Sequence, residues 1–191
     1  MIQRLLIPLL VLAPLLLCAG ADDEFWDDRF GAPGANGPIY SLLAISNQLY
    51  VAGAFTQIGS IHATNIARWD GFRWWPLGPG LHGGVLPEVY AMTSDPDGKL
   101  YAAGFFTHAG SIAVSNVAMW DGTAWFALNG GLNGGARALA RRGQEIFVAG
   151  SFTRAGGTVA TNIAKWNGND WEPLAGGAPG AAVDSLAVTM Q

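Results

Sequence analysis

The chain has 191 residues with 10 basic against 14 acidic side chains, a net charge of −4, only 13% charged residues, and 27 glycines. No basic stripe exists, which argues against nucleic acid as a partner. Few charges beside many Gly and Trp exclude a disordered chain and indicate a β-rich body with tight turns, long enough for one domain or part of a larger one.

Residues 1–21 read as a signal peptide. Arg4 gives a short basic start, Leu5 to Leu17 is an apolar run, and Ala19-Gly20-Ala21 offers a small-x-small cleavage site. The run is shorter than the about 20 residues a bilayer span requires, and it contains Pro8 and Pro14, so stable membrane insertion is not expected. Lipidation at Cys18 is disfavoured by the bulky Leu17 before it. The implied location is secreted, extracellular or periplasmic. Cleavage after Ala21 leaves 170 residues without a cysteine, so stability must come from packing rather than disulfides.

Residues 22–38 are expected to form an N-terminal segment in which Trp26–Gly31 looks like a lone outer strand. Beyond it, three near-copies of one phrase begin at Leu49, Leu100 and Ile146, offset by 51 and 46 residues: LYVAGAFTQIG, LYAAGFFTHAG and IFVAGSFTRAG. Each is followed by a second matching phrase: NIARWDGFRWWPLGPG, NVAMWDGTAWFALNGG and NIAKWNGNDWEPLAGG. Such a period marks repeated supersecondary units.

Each unit reads as four short strands. The first is Ile39–Ala44, Val89–Thr93 or Ala136–Ala140, with small residues at its third position (Ser41, Ala91, Ala138) suited to a crowded axis. The second begins at Leu49, Leu100 or Ile146. It is apolar or small on both faces and should be covered on both sides. Gly53, Gly104 and Gly150 recur in it at one register, suggesting close approach of another backbone or ring. The third is Asn65–Trp69, Asn116–Trp120 or Asn162–Trp166, followed by Asp-Gly or Asn-Gly, the signature of a tight hairpin. The fourth carries Trp74, Trp125 or Trp171, and Pro76 and Pro173 make it an edge, since proline cannot donate to a ladder. The six tryptophans in repeat register need burial, which stacking the sheets face to face provides. Val183–Met190 looks like one further first strand.

The fold class is therefore all-β: a partial β-propeller of three four-stranded antiparallel blades (about 39–79, 89–130 and 136–176) plus stray terminal strands, within a repeat region at 39–191. The V-A-G-x-F-T-x-x-G run and the N-I-A-x-W-D-G-x-x-W-x-x-L-G run together resemble kelch-type β-propellers. More narrowly, they resemble the secreted propeller repeats of fungal cortical cell-polarity markers and of bacterial exported proteins. Kelch repeats carry a diglycine where this chain has Ala52-Gly53, Ala103-Gly104 and Ala149-Gly150. Closed propellers have about 4–8 blades. Three units and two fragments thus read as a truncated piece, or as a chain that closes with others and self-associates through open blade faces.

No catalytic set emerges. His62, His82 and His108 do not recur in the repeats and lack metal-ligand spacing, so neither a metal nor a cofactor is expected. The copper radical oxidase chemistry that a kelch resemblance brings to mind needs a cysteine beside a tyrosine, and the mature chain has none. Asp95-Pro96-Asp97-Gly98 reads as a turn, and the Asp-Gly-x-x-Trp pieces lack the arginine cluster of a sialidase. Recurrent Thr56, Thr107 and Thr153, with Asn65, Asn116 and Asn162, fit turn hydrogen bonding. A ligand site should lie where the repeats differ. Antiparallel order puts the loops between second and third strands on one face with those between units. Gln57, His82, Glu88, His108, Asn133 and Arg154 are the binding candidates there. The expected function is a secreted, non-enzymatic scaffold that binds a surface protein or glycan through variable loops. The alternative is a fragment of an extracellular propeller hydrolase or lyase whose catalytic residues lie outside this chain.

Overall fold

The computed structural model describes residues 34–180 and 182–187. The expected signal peptide, the lone outer strand near Trp26 and the end of the last expected strand fall outside the described residues. Among the described residues every regular element is a strand.

The first unit runs β1 (Ile39–Ile45), β2 (Gln48–Gly53), β3 (Gln57–Ile58), β4 (Ile61–His62), β5 (Ile66–Trp69) and β6 (Trp74–Pro76), and β7 (Leu81–His82) follows it. The second unit is β8 (Glu88–Ser94), β9 (Leu100–Phe105), β10 (His108–Ala109), β11 (Ile112–Ala113), β12 (Val117–Trp120) and β13 (Trp125–Ala127). The third is β14 (Ala136–Arg142), β15 (Glu145–Gly150), β16 (Arg154–Ala155), β17 (Thr158–Val159), β18 (Ile163–Trp166) and β19 (Trp171–Pro173). They build three four-stranded antiparallel sheets in the orders β1-β2-β5-β6, β8-β9-β12-β13 and β14-β15-β18-β19. The first strands of neighbouring sheets lie side by side at the shared inner edge. There the backbone N–H of Met92 donates to Ser41 Oγ at 3.1 Å, so the small third-position residue meets the next inner strand as expected.

The second strands are sandwiched: Val51, Ala52, Ala102, Ala103, Val148 and Ala149 are all buried. Pro76 and Pro173 lie in the edge strands, paired with Ala67 and Ala164. Within each unit the two register tryptophans tilt together, Trp69–Trp74, Trp120–Trp125 and Trp166–Trp171 each having ring centroids 5.2 Å apart. Trp69, Trp125, Trp166 and Trp171 are buried, whereas Trp74 and Trp120 are half-buried.

Four local expectations are corrected. The third strand starts one residue later, because Asn65, Asn116 and Asn162 are in the left-handed region (φ 62°, 64° and 61°) and cannot continue a ladder. The turn after it spans four residues rather than two. Asp70 N–H donates to Arg73 O, Gly71 alone takes positive φ (98°), and Asp70 Oδ1 accepts from the N–H groups of Phe72 and Arg73. Each unit holds six strands rather than four, because the loop between second and third strands carries a two-plus-two hairpin, β3-β4, β10-β11 or β16-β17. Finally, residues 183–187 form no strand, although Val183 N–H donates to Gly150 O at 3.1 Å.

Candidate functional site

The recurrent glycines set the geometry of the site. At Gly53, Gly104 and Gly150 a Cβ would lie 2.0, 2.0 and 2.2 Å from the carbonyl oxygens of Pro38, Glu88 and Gly135, which immediately precede Ile39, Val89 and Ala136. That approach accompanies a bulge in every inner strand. Gly53 pairs with Ile39 and Ala52 with Ser41, so Tyr40 is the extra residue; Tyr90 and Arg137 are extra in the same way. A bulge re-aims the side chain it carries. The repeat thus presents Tyr40, Tyr90 and Arg137, one per unit, beside the shared inner edge.

These three side chains meet. The Tyr40 and Tyr90 rings stack at 5.1 Å. Phe105 sets its edge to Tyr90 at 5.9 Å. The Arg137 guanidinium lies 5.8 Å from the Tyr90 ring and 6.0 Å from that of Phe105, within cation–π range. Phe105 occupies this place because residue 135 is glycine: a Cβ there would come within 2.0 Å of the ring. The Tyr90 hydroxyl donates to Glu88 Oε2. That bond, helped by partial burial and the negative charge of Glu88, pushes the phenol up to about 12, so Tyr90 stays neutral and remains a donor at physiological pH.

A cavity of about 450 Å³ opens over this cluster, walled by Val85, Leu86, Glu88, Tyr90, Phe105 and Arg137. A second, of about 340 Å³, opens on the other side of the same loop, with Leu86, Pro87 and Glu88 lining it beside Asn36 and Thr56. The loop owes its height to an insertion. Eight positions separate Leu81 from Val89, against four between Leu132 and Ala136.

The loops between units and the small hairpins share one face, joined by direct bonds. Asn133 Oδ1 accepts from the N–H groups of Thr153 and Arg154 at 2.9 Å each, and its Nδ2 donates to Thr153 Oγ1. Asn36 does the same to Thr56 and Gln57 in the first unit. The Asn133 amide is thereby committed to holding the loop. In the middle unit the equivalent position is His82, whose ring stacks on His108 at 5.3 Å and 5°, with Nε2 3.0 Å from Gly110 O. His108 in turn lies 3.0 Å from Thr107 Oγ1 through Nδ1. Gln57 and Arg154 are exposed on separate hairpins and bond locally to Gly59 O and Gly157 O. Of the six candidates, then, the structure brings His82 and His108 together and sets Glu88 in the cavity wall. Among the described residues no group of three or more His, Cys, Asp or Glu is placed to hold a metal ion.

Sequence reading missed Tyr40, Tyr90, Phe105 and Arg137. The available signal was the second position of the first strand, which changes from Tyr to Tyr to Arg while its neighbour stays small. No protein-family model matches the chain, and no curated protein matches it.

Proposed function

We propose that the protein is an exported, non-enzymatic binding scaffold whose ligand meets the variable loop face at the cavity walled by Val85, Tyr90, Phe105 and Arg137. One observation carries this reading. The bulged position carries Tyr, Tyr and Arg in the three units; Tyr90 and Arg137 line one cavity, and Tyr40 stacks on Tyr90 beside it. Its walls are mostly apolar and aromatic with a few polar groups, the usual make-up of a ligand site. The buried framework around them is spent on holding the loops.

The test is a parallel screen of the full chain on peptide and glycan arrays, repeated with Tyr90→Ser. A ligand whose binding is lost on Tyr90→Ser but kept on Phe72→Ser supports the reading; Phe72 is 81% exposed and sits in the turn between β5 and β6. Silence on both arrays, or binding indifferent to Tyr90, overturns it.

A further inference from the structure

We infer that the cavity selects a peptide segment in which a bulky apolar side chain sits next to a carboxylate; this rests on the binding site proposed above. The apolar half of the preference comes from the inserted loop. Val85 is 96% exposed and Leu86 74% exposed, and both border the cavity beside Tyr90 and Phe105. Scattered surface aliphatics need no explanation, but two on an inserted loop, continuous with an aromatic wall, form a patch that gains from being covered.

The acidic half comes from Arg137. Its Nε is 3.4 Å from Asp184 Oδ1, with side chains 41% and 75% exposed, a surface pair worth little in water. A ligand carboxylate brought in beside an apolar side chain would meet the same guanidinium with water excluded, where a charge-assisted bond is stronger. The other charged wall residue, Glu88, is already engaged by the Tyr90 hydroxyl.

The same geometry disfavours a sugar as occupant. Sugar rings pack on open aromatic faces. Here Tyr90 is stacked by Tyr40 and approached by Arg137, and Phe105 lies against Gly135. The most exposed wall residues are the aliphatic Val85 and Leu86.

The carboxylate could belong to an Asp or Glu side chain or to a free C-terminus, and the assay separates the two. The full chain is screened on immobilised peptides, each in amidated and free-carboxylate form, beside a glycan array. The strongest peptide is resynthesised with a fluorophore and titrated by polarisation. The expected hits pair Leu, Ile or Phe with an adjacent carboxylate; loss of binding on amidation assigns it to the C-terminus, and persistence assigns it to Asp or Glu. Arg137→Gln should weaken the titrated peptide by roughly tenfold or more, as loss of a charge-assisted bond implies. The double change Val85→Ser, Leu86→Ser should weaken it too, Phe72→Ser should leave it unchanged, and higher salt should loosen it. Because all these residues are exposed at the surface, circular dichroism should find each variant folded. Hits confined to glycans, peptide hits without a carboxylate, or an affinity untouched by Arg137→Gln overturn this inference while leaving a loop-face binding site standing. No ligand on either array overturns both.

Discussion

The indole Nε1 of Trp125 donates to the carbonyl of Leu77 at 3.0 Å, a buried bond from the outer strand of the second sheet to the end of the first. Trp171 repeats it onto Leu128 at 2.8 Å. The second and third units thus each add a bond to a carbonyl of the unit before, one that also accepts the N–H of Gly80 or Gly131. Trp125→Ala should cost roughly 3–5 kcal/mol, the range for truncating a core aromatic. Trp125→Phe keeps much of the packing and removes the indole donor while Gly80 N–H still serves the Leu77 carbonyl, so it should cost only about 0.5–1.5 kcal/mol. Trp120→Ala should cost less than Trp125→Ala, since Trp120 is half-buried. Urea unfolding midpoints rank the three.

Gly104 is one of the positions that admit no side chain. Gly104→Ala drives a Cβ to 2.0 Å from the Glu88 carbonyl, a rigid backbone atom. The strand must move, at roughly 1–3 kcal/mol or more. The movement also displaces Tyr90 at the bulge, so any loop-face ligand should bind less well. Gly157→Ala, where a Cβ would meet nothing within 4 Å, is the matched comparison and should be nearly neutral by the same unfolding measurement.

Asn65 combines a left-handed backbone with three side-chain bonds, accepting from Phe55 N–H at 3.0 Å and donating to Leu81 O at 2.8 Å and Pro87 O at 3.0 Å. Asn65→Gly preserves the backbone freedom and loses the bonds, for roughly 1–3 kcal/mol. Asn65→Ala loses both and should cost roughly 1–2 kcal/mol more. Equal costs for Gly and Ala, measured by thermal or urea unfolding, would show that the φ of 62° carries no strain.

Asp70 gives the fold an acid dependence. Its carboxylate accepts from the Trp75 indole at 2.6 Å and from the N–H groups of Arg73 and Phe72. These bonds hold its pKa down from 3.8 to about 2, the indole contributing most. In the unfolded chain the proton binds first, near 3.8, so the contribution is complete above that pH and is lost as pH falls through about 2. Asp70→Asn should keep the turn, since Asn167 fills the same place in the third unit and accepts from Asn169 and Asp170 N–H. It should shrink the drop in urea midpoint across that window, and an unchanged drop would remove Asp70 from the explanation.

Much of the architecture was readable because repetition fixes register three times over. The phrase at Leu49, Leu100 and Ile146 placed the second strands, and Pro76 and Pro173 placed the edges. Asn65 misled because its side chain serves as a clamp, and an asparagine amide that bonds locally removes its residue from the ladder. The β3-β4 hairpin hid in Gln57-Ile58-Gly59-Ser60-Ile61-His62, too short for alternation to register. The site itself was half legible. Variation marked Glu88, His82 and His108, but strand alternation assigns Tyr40, Tyr90 and Arg137 to a sheet face, and only the bulge gathers them, with Tyr90 and Arg137 in the cavity wall and Tyr40 stacked on Tyr90. The loop asparagine at 133 varied for an ordinary reason, since His82 replaces it where the middle hairpin is built differently.

The extra residue in each inner strand has a consequence for how such a protein can change over generations. Because Tyr40, Tyr90 and Arg137 stand outside the pairing ladder, the sheet tolerates a phenol or a guanidinium there alike, as the three units already demonstrate. New specificities can be sampled at those positions one substitution at a time, with the tryptophan and glycine framework left untouched.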